Sequence, residues 1–164
     1  MSQHNLILDY VNYTRWASLT LLEACSMLDE EELRRDLHTS YPSIWATLVH
    51  LYQADSTWFA RLHGQRVASL SMFEPGSDLA TLSLRWRQTL DSLVAFTSSR
   101  TEEQWEETMN YVTTRGDAFS QPLWKVLMHV VNHGTLHRGQ ILVMFRQIDR
   151  VPVSVDLLNY YRSK

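Results

Sequence analysis

The sequence predicts an all-α fold: an antiparallel four-helix bundle with a small β-hairpin or extended loop before the fourth helix. Three observations carry this. Apolar residues recur at threes and fours over four long stretches, the spacing that lines one face of an α-helix. Glycine (5) and proline (4) are scarce, so little interrupts those stretches. The exception, Tyr111-Val-Thr-Thr-Arg-Gly-Asp-Ala-Phe119, is β-branched and aromatic around a turn-forming Arg115-Gly116-Asp117. At 164 residues the chain suits one domain, residues 1–164, with a single core.

The first helix runs from about Gln3 to Leu28, with Leu6, Tyr10, Tyr13, Ala17, Leu21, Ala24 and Leu28 on its buried side. Asp29-Glu30-Glu31-Glu32 breaks that pattern, as a solvated loop or as the acidic first turn of a short helix. The second long helix begins near Ser40, with Pro42 in its first turn, and ends near His63 with Gly64 as C-cap. Residues 65–77, which contain Pro75-Gly76, read as a connection. A third helix spans about Asp78 to Ser98, and Ser98 to Glu107 has room for one extra turn. The hairpin must pack on the helices, since an isolated one is marginal in water. The fourth helix starts around Gln121-Pro122 and ends near Asp149, before Pro152, leaving Asp156 to Tyr161 as a short packed turn.

A net charge of −3 without a basic tract gives nucleic-acid binding no electrostatic support. No apolar run approaches the roughly 18 residues of a membrane span, and the N-terminus lacks a signal-peptide pattern. The expected setting is therefore the cytoplasm, with no membrane and no nucleic acid as partner. The single cysteine, Cys25, excludes an internal disulfide and a Cys-rich zinc cluster, and reads as a small buried side chain. Any metal site has to use histidines and carboxylates.

The most chemically loaded run is Met128-His-Val-Val-Asn-His-Gly-Thr-Leu-His-Arg-Gly-Gln140, with His129, His133 and His137 four residues apart on one helix face. At 1.5 Å rise per residue the end members stand roughly 12 Å apart, too far to share one ion. A helical wheel centred on Val130 puts His137 inside the apolar stripe, His133 on its edge and His129 on the flank. The helix therefore offers the pair His133 and His137, with His129 as a positioning or flank residue. Gly134, on the same face, leaves room for a neighbouring helix or a ligand. A further ligand has to come from elsewhere. His50 is the best placed of the other histidines, though on the edge of its stripe. Asp55 falls inside that stripe, where a carboxylate needs a partner: a metal, or an ordinary ion pair or hydrogen bond.

Known catalytic patterns do not fit. His133-Gly-Thr-Leu-His137 lacks the glutamate of the zinc-peptidase motif, Glu-x-x-His pairs of di-iron bundles are absent, and no serine sits in a nucleophile-elbow context.

Taken together, Tyr13-Thr-Arg-Trp-Ala17, Ser43-Ile-Trp-Ala-Thr-Leu-Val-His50 through Asp55, Leu127 to Gln140, and the trailing Pro152 and Asp156-Leu-Leu resemble the DinB-like family of metal-binding four-helix proteins over nearly the whole chain. The last long motif is specific. The first departs from the family pattern at Thr14 and Ser18, where asparagine is common. The resemblance implies a divalent metal, zinc or nickel, held by His50, His133 and His137. It also implies a homodimer and, as in some relatives, low-molecular-weight-thiol chemistry.

Three neutral histidines leave a coordination position open for water or substrate. The expected function is a metal-dependent enzyme, a hydrolase or a thiol S-transferase acting on a small molecule, with Asp55 orienting a ligand or acting as base and His129 relaying a proton. The alternative is a non-catalytic, metal-stabilised dimeric interaction module, which a closed fourth ligand such as Asp55 would favour. The substrate pocket is expected between helices, lined by Trp16, Trp45 and Trp124 or by the hairpin loop.

Overall fold

The computed structural model describes residues 2–65, 67 and 77–164. Its elements are α1 (Gln3–Cys25), α2 (Glu30–Arg34), α3 (Ile44–Leu62), α4 (Leu79–Ser98), a 3₁₀ turn (Glu103–Glu106), β1 (Thr108–Val112), β2 (Ala118–Pro122), α5 (Leu123–Gln147) and α6 (Leu157–Arg162). The connection read around Pro75-Gly76 lies outside the described residues.

Polar caps fix the helix starts. Ser2, Asp29, Ser43, Asp78 and Asp156 each accept a hydrogen bond from a backbone N–H of the following turn. Asp29 and Glu32 form a reciprocal capping box, so the acidic cluster is the first turn of a helix rather than a loop. The second long helix starts at Ile44, four residues later than expected. Ser43 takes the cap position, and Pro42 stays outside, where its carbonyl accepts from the N–H of Leu37 at 2.7 Å. In the first turn of α1, the N–H groups of Gln3 and His4 donate to the Glu102 carboxylate at 2.8 and 3.1 Å, which ties that end to the segment after α4.

Helix α1 packs on α4 and α5, and α3 packs on the same two, so α1 and α3 occupy opposite corners of a four-helix bundle. Residue pairing gives the directions. Arg15 meets Asp91 and the start of α1 meets Glu102, so α1 and α4 are antiparallel. Thr47 meets Met144 and Trp58 meets His129, so α3 and α5 are antiparallel. Ser18 meets Arg138, and Leu21 shares a cluster with Ile141, so α1 and α5 run parallel. Asp55 meets Trp86 and His63 meets Phe96, so α3 and α4 do too. The order is up-down-down-up. Parallel neighbours need a long return, and residues 63–78 can reach about 50 Å when extended, against about 28 Å for α3. Between α4 and α5, β1 pairs antiparallel with β2 in the register Tyr111 to Phe119, and Gly116 (φ 94°) makes the turn.

The core has two large apolar halves, flanked by a smaller cluster of Tyr13, Ala17, Val155 and Tyr160. One gathers Leu21, Cys25, Ile44, Leu48, Leu51, Leu82, Trp86, Ile141 and Met144. The other gathers Ile7, Val11, Leu93, Phe96, Trp105, Leu127 and Val130. Cys25 is fully buried, which pushes its thiol up to about 12 and leaves it unreactive.

Polar groups lie between the halves. Arg138 is 1% exposed, donates to Ser18 Oγ at 3.2 Å and Thr135 Oγ1 at 3.1 Å, and lies 5.5 Å from the Tyr13 ring centre. Asp55, 3% exposed, accepts from Trp86 Nε1 at 2.8 Å. Gly134 makes room for this cation rather than for another helix or a ligand: a Cβ there would stand 2.7 Å from Arg138 Nη1.

Burial raises the Asp55 carboxyl to about 6, against the Trp86 hydrogen bond and the Arg138 charge, which favour the ionised form. The unfolded carboxyl titrates near 3.9, so between about pH 4 and 6 the native state holds a proton that the unfolded chain has lost. This contribution is complete below about pH 4 and is lost as pH rises through about 6. Urea unfolding of wild type and Asp55→Asn at pH 4 and pH 7 should therefore diverge. Wild type loses on the order of 2–3 kcal/mol relative to the variant across that interval; equal pH profiles would refute the assignment.

Candidate metal centre

Helix α3 contributes His50, and α5 contributes His133 and His137. Because α3 and α5 are antiparallel neighbours, one side chain from the first faces an i, i+4 pair on the second. His50 Nε2 lies 3.2 Å from His133 Nε2 and 3.2 Å from His137 Nε2. One ligand nitrogen from each ring falls within 4.8 Å of the others, a grouping that can hold a metal ion. Nitrogens bound tetrahedrally at about 2.0–2.1 Å from one ion lie roughly 3.3 Å apart, so the spacing fits a shared centre.

The hydrogen-bond chemistry points the same way. His137 Nδ1 lies 2.7 Å from Gln140 Oε1. A carbonyl oxygen only accepts, so Nδ1 carries the proton and Nε2 turns a lone pair toward the other two rings. Burial, followed by the influence of His137, lowers His50 to about 4. Burial, followed by the influence of His137, His50 and the flanking His129, lowers His133 to about 4. Both rings are neutral at pH 7, the state a metal ligand requires. Tyr41 closes one side, stacked on His50 (centroids 4.1 Å apart, planes 19° apart) and edge-on to His137 at 5.5 Å.

The wheel order holds. His137 is buried, His133 half-buried, and His129 exposed, its ring 5.2 Å from Trp58 and 5.9 Å from His133. Asp55 is not in the group; its carboxylate is turned to Trp86 on α4. His50 and Asp55 share a helix but differ by about 140° around it, so one faces α5 and the other faces the core. The other histidines lie elsewhere: His4 beside Trp105, His38 in an exposed loop, and His63 at the end of α3 with Nδ1 on the Phe59 carbonyl. None of the three tryptophans expected at the site contacts these rings. Trp16 packs on Tyr13 and Tyr160, Trp45 supports the Arg34 guanidinium, and Trp124 lies beside Lys125. Sequence reasoning missed Tyr41 and the role of Gln140. The latter had a signal, since a residue three positions after His137 is its neighbour on the helix surface. Tyr41 precedes α3 in irregular chain and has no periodic signature.

A family model described as the DinB family matches residues 1–164. The chain is 24% identical over 151 residues to Protein DinB of Bacillus subtilis (strain 168), covering 88% of this chain and 87% of that one. A solved DinB-like protein from Bacillus cereus ATCC 10987 superposes with a TM-score of 0.71 at 18% identity, covering 92% of this chain and 95% of that one. Another, from Bacillus subtilis, superposes with a TM-score of 0.61 at 14% identity, covering 92% and 94%. At such identities the structural likeness speaks for the fold.

In metal-free protein, an NMR titration should find His50 and His133 with midpoints near 4 and His137 as the Nδ1–H tautomer. Midpoints near 6.5 for both rings would mean that they do not converge in solution.

Proposed function

The chain belongs to the DinB family, and on that premise we propose that it is a divalent-metal protein whose ligands are His50, His133 and His137, working as a metal-dependent hydrolase or low-molecular-weight-thiol transferase. The single observation that carries this reading is the convergence of three Nε2 atoms from two helices on one point. Three imidazole ligands suit zinc or nickel. Among the described residues no carboxylate joins the group, and Asp55 is engaged by Trp86. That favours an open fourth position, and hence an enzyme, over a closed structural site.

A bound ion would supply Lewis acidity to a water or a thiol in that open position. The chain's own part is positional. Gln140 holds the His137 ring in the tautomer that presents Nε2, the kind of outer contact that commonly sets metal affinity. Tyr41 shields the His50 face and limits water on that side. His129, one turn from His133 and exposed, is a group able to pass a proton to solvent.

Isothermal titration of tag-free protein with zinc and with nickel should give one ion per chain. His50→Ala, His133→Ala and His137→Ala should each lose most of that affinity, and Gln140→Leu should weaken it about 10–100-fold. Wild-type affinity in the histidine variants would refute the ligand set. Ester hydrolysis and transfer of a low-molecular-weight thiol to an electrophile, each assayed with and without chelator, would separate the two reactions. Activity indifferent to chelator would refute the enzymatic reading.

A further inference from the structure

A second feature lies beside the three histidines, where the hairpin docks across α3 and α5. It is a cavity of about 370 Å³, walled by Trp58, Tyr111 and Phe119, with Arg61, Lys125 and His129 among its polar groups. Among the described residues no carboxylate lines it. Its size is that of a small-molecule pocket.

Arg61 is the unusual member. It is 8% exposed, and its Nε is buried without a hydrogen-bond partner. Among the described residues no carboxylate pairs with it. Its guanidinium instead lies 4.8 Å from the Trp58 ring centre and 5.9 Å from that of Tyr111. Arginine stays charged in proteins, and burying an unpaired cation is costly. Cation–π contacts recover only part of that cost. A buried cation with no anion among the described residues, lining a cavity that also carries Lys125, is half of a binding pair. The fork of a guanidinium matches a carboxylate, which can take two hydrogen bonds from it. The aromatic walls match an apolar body.

We propose that this cavity binds a small organic anion, one carboxylate on an aromatic or otherwise apolar body, with the carboxylate on Arg61 and the body against Trp58, Tyr111 and Phe119. His129 lines the cavity and lies 5.9 Å, ring centre to ring centre, from His133. The occupant therefore sits next to the histidine centre. Its role as substrate rests on the function proposed above; its binding does not.

The test uses the full chain, metal-free and zinc-loaded, titrated calorimetrically with 2-naphthoate and with its neutral counterpart 2-naphthalenemethanol. Metal-free protein should bind the acid at least tenfold more tightly than the alcohol. Arg61→Met should remove at least tenfold of that affinity with no fall in melting temperature, since it deletes an unpaired buried charge, and should leave zinc affinity unchanged. Lys125→Gln, at an exposed position that does not threaten folding, should weaken the acid two- to fivefold. His133→Ala should still bind it. Equal affinity for acid and alcohol, no binding of either, or full affinity in both Arg61→Met and Lys125→Gln overturns the proposal. If the acid binds and zinc does not, the cavity stands and the metal reading fails.

Discussion

The bundle is organised around a charge that cannot be left in an apolar interior without partners. Arg138 sits between α1 and α5, almost fully buried. Its position requires a hydroxyl from α1, supplied by Ser18, an aromatic face, supplied by Tyr13, and a glycine one turn back at Gly134. Asp55 on α3 is a buried carboxylate whose charge, after that of Tyr13, favours the ionised guanidinium. Ions of this kind cost several kcal/mol to bury, so they hold their surroundings to narrow geometry. In particular they set the rotation of α5 and its depth against α1.

That rotation has a consequence for the histidines. His137 precedes Arg138, and His133 precedes Gly134. If Arg138 and Gly134 face α1, the residues about 100° behind them face α3. The side chains His137 and His133 are thereby turned toward His50, and the three rings come within hydrogen-bonding distance. The polar layer between the two apolar halves of the core and the histidine cluster are thus two faces of the same stretch of helix. The apolar halves supply most of the driving force for folding. The polar layer fixes which way the helices turn.

Much of this was legible in the chain. The four long helices, the hairpin at Tyr111–Phe119 and the pairing of His133 with His137 follow from periodicity and axial rise, which are local properties. The demotion of His129 followed from the same wheel that places it on the flank. Asp55 on an apolar stripe signals a needed partner, because a buried carboxylate requires one. Less was legible where partners come from distant segments. The start of α3 lies beyond Ser40 because Ser43 caps it and Pro42, expected in its first turn, stays outside with its carbonyl bonded to Leu37. Tyr41 stacks on His50 from an irregular segment without periodic signal, and the tryptophans expected at the site went to other contacts.

By itself, the sequence determined the helices, their buried faces and half of the site, because helical periodicity and rise are fixed by backbone geometry within a few turns. The tertiary structure decided the rest. It set the up-down-down-up order, in which α3 and α4 run parallel. It separated His50 from Asp55 as neighbours of α5, since the two lie on different faces of one helix and only the position of α5 selects between them. It brought Gly134 under Arg138 and left Arg61 facing a cavity, because burial and pairing are properties of what the rest of the chain places around a residue.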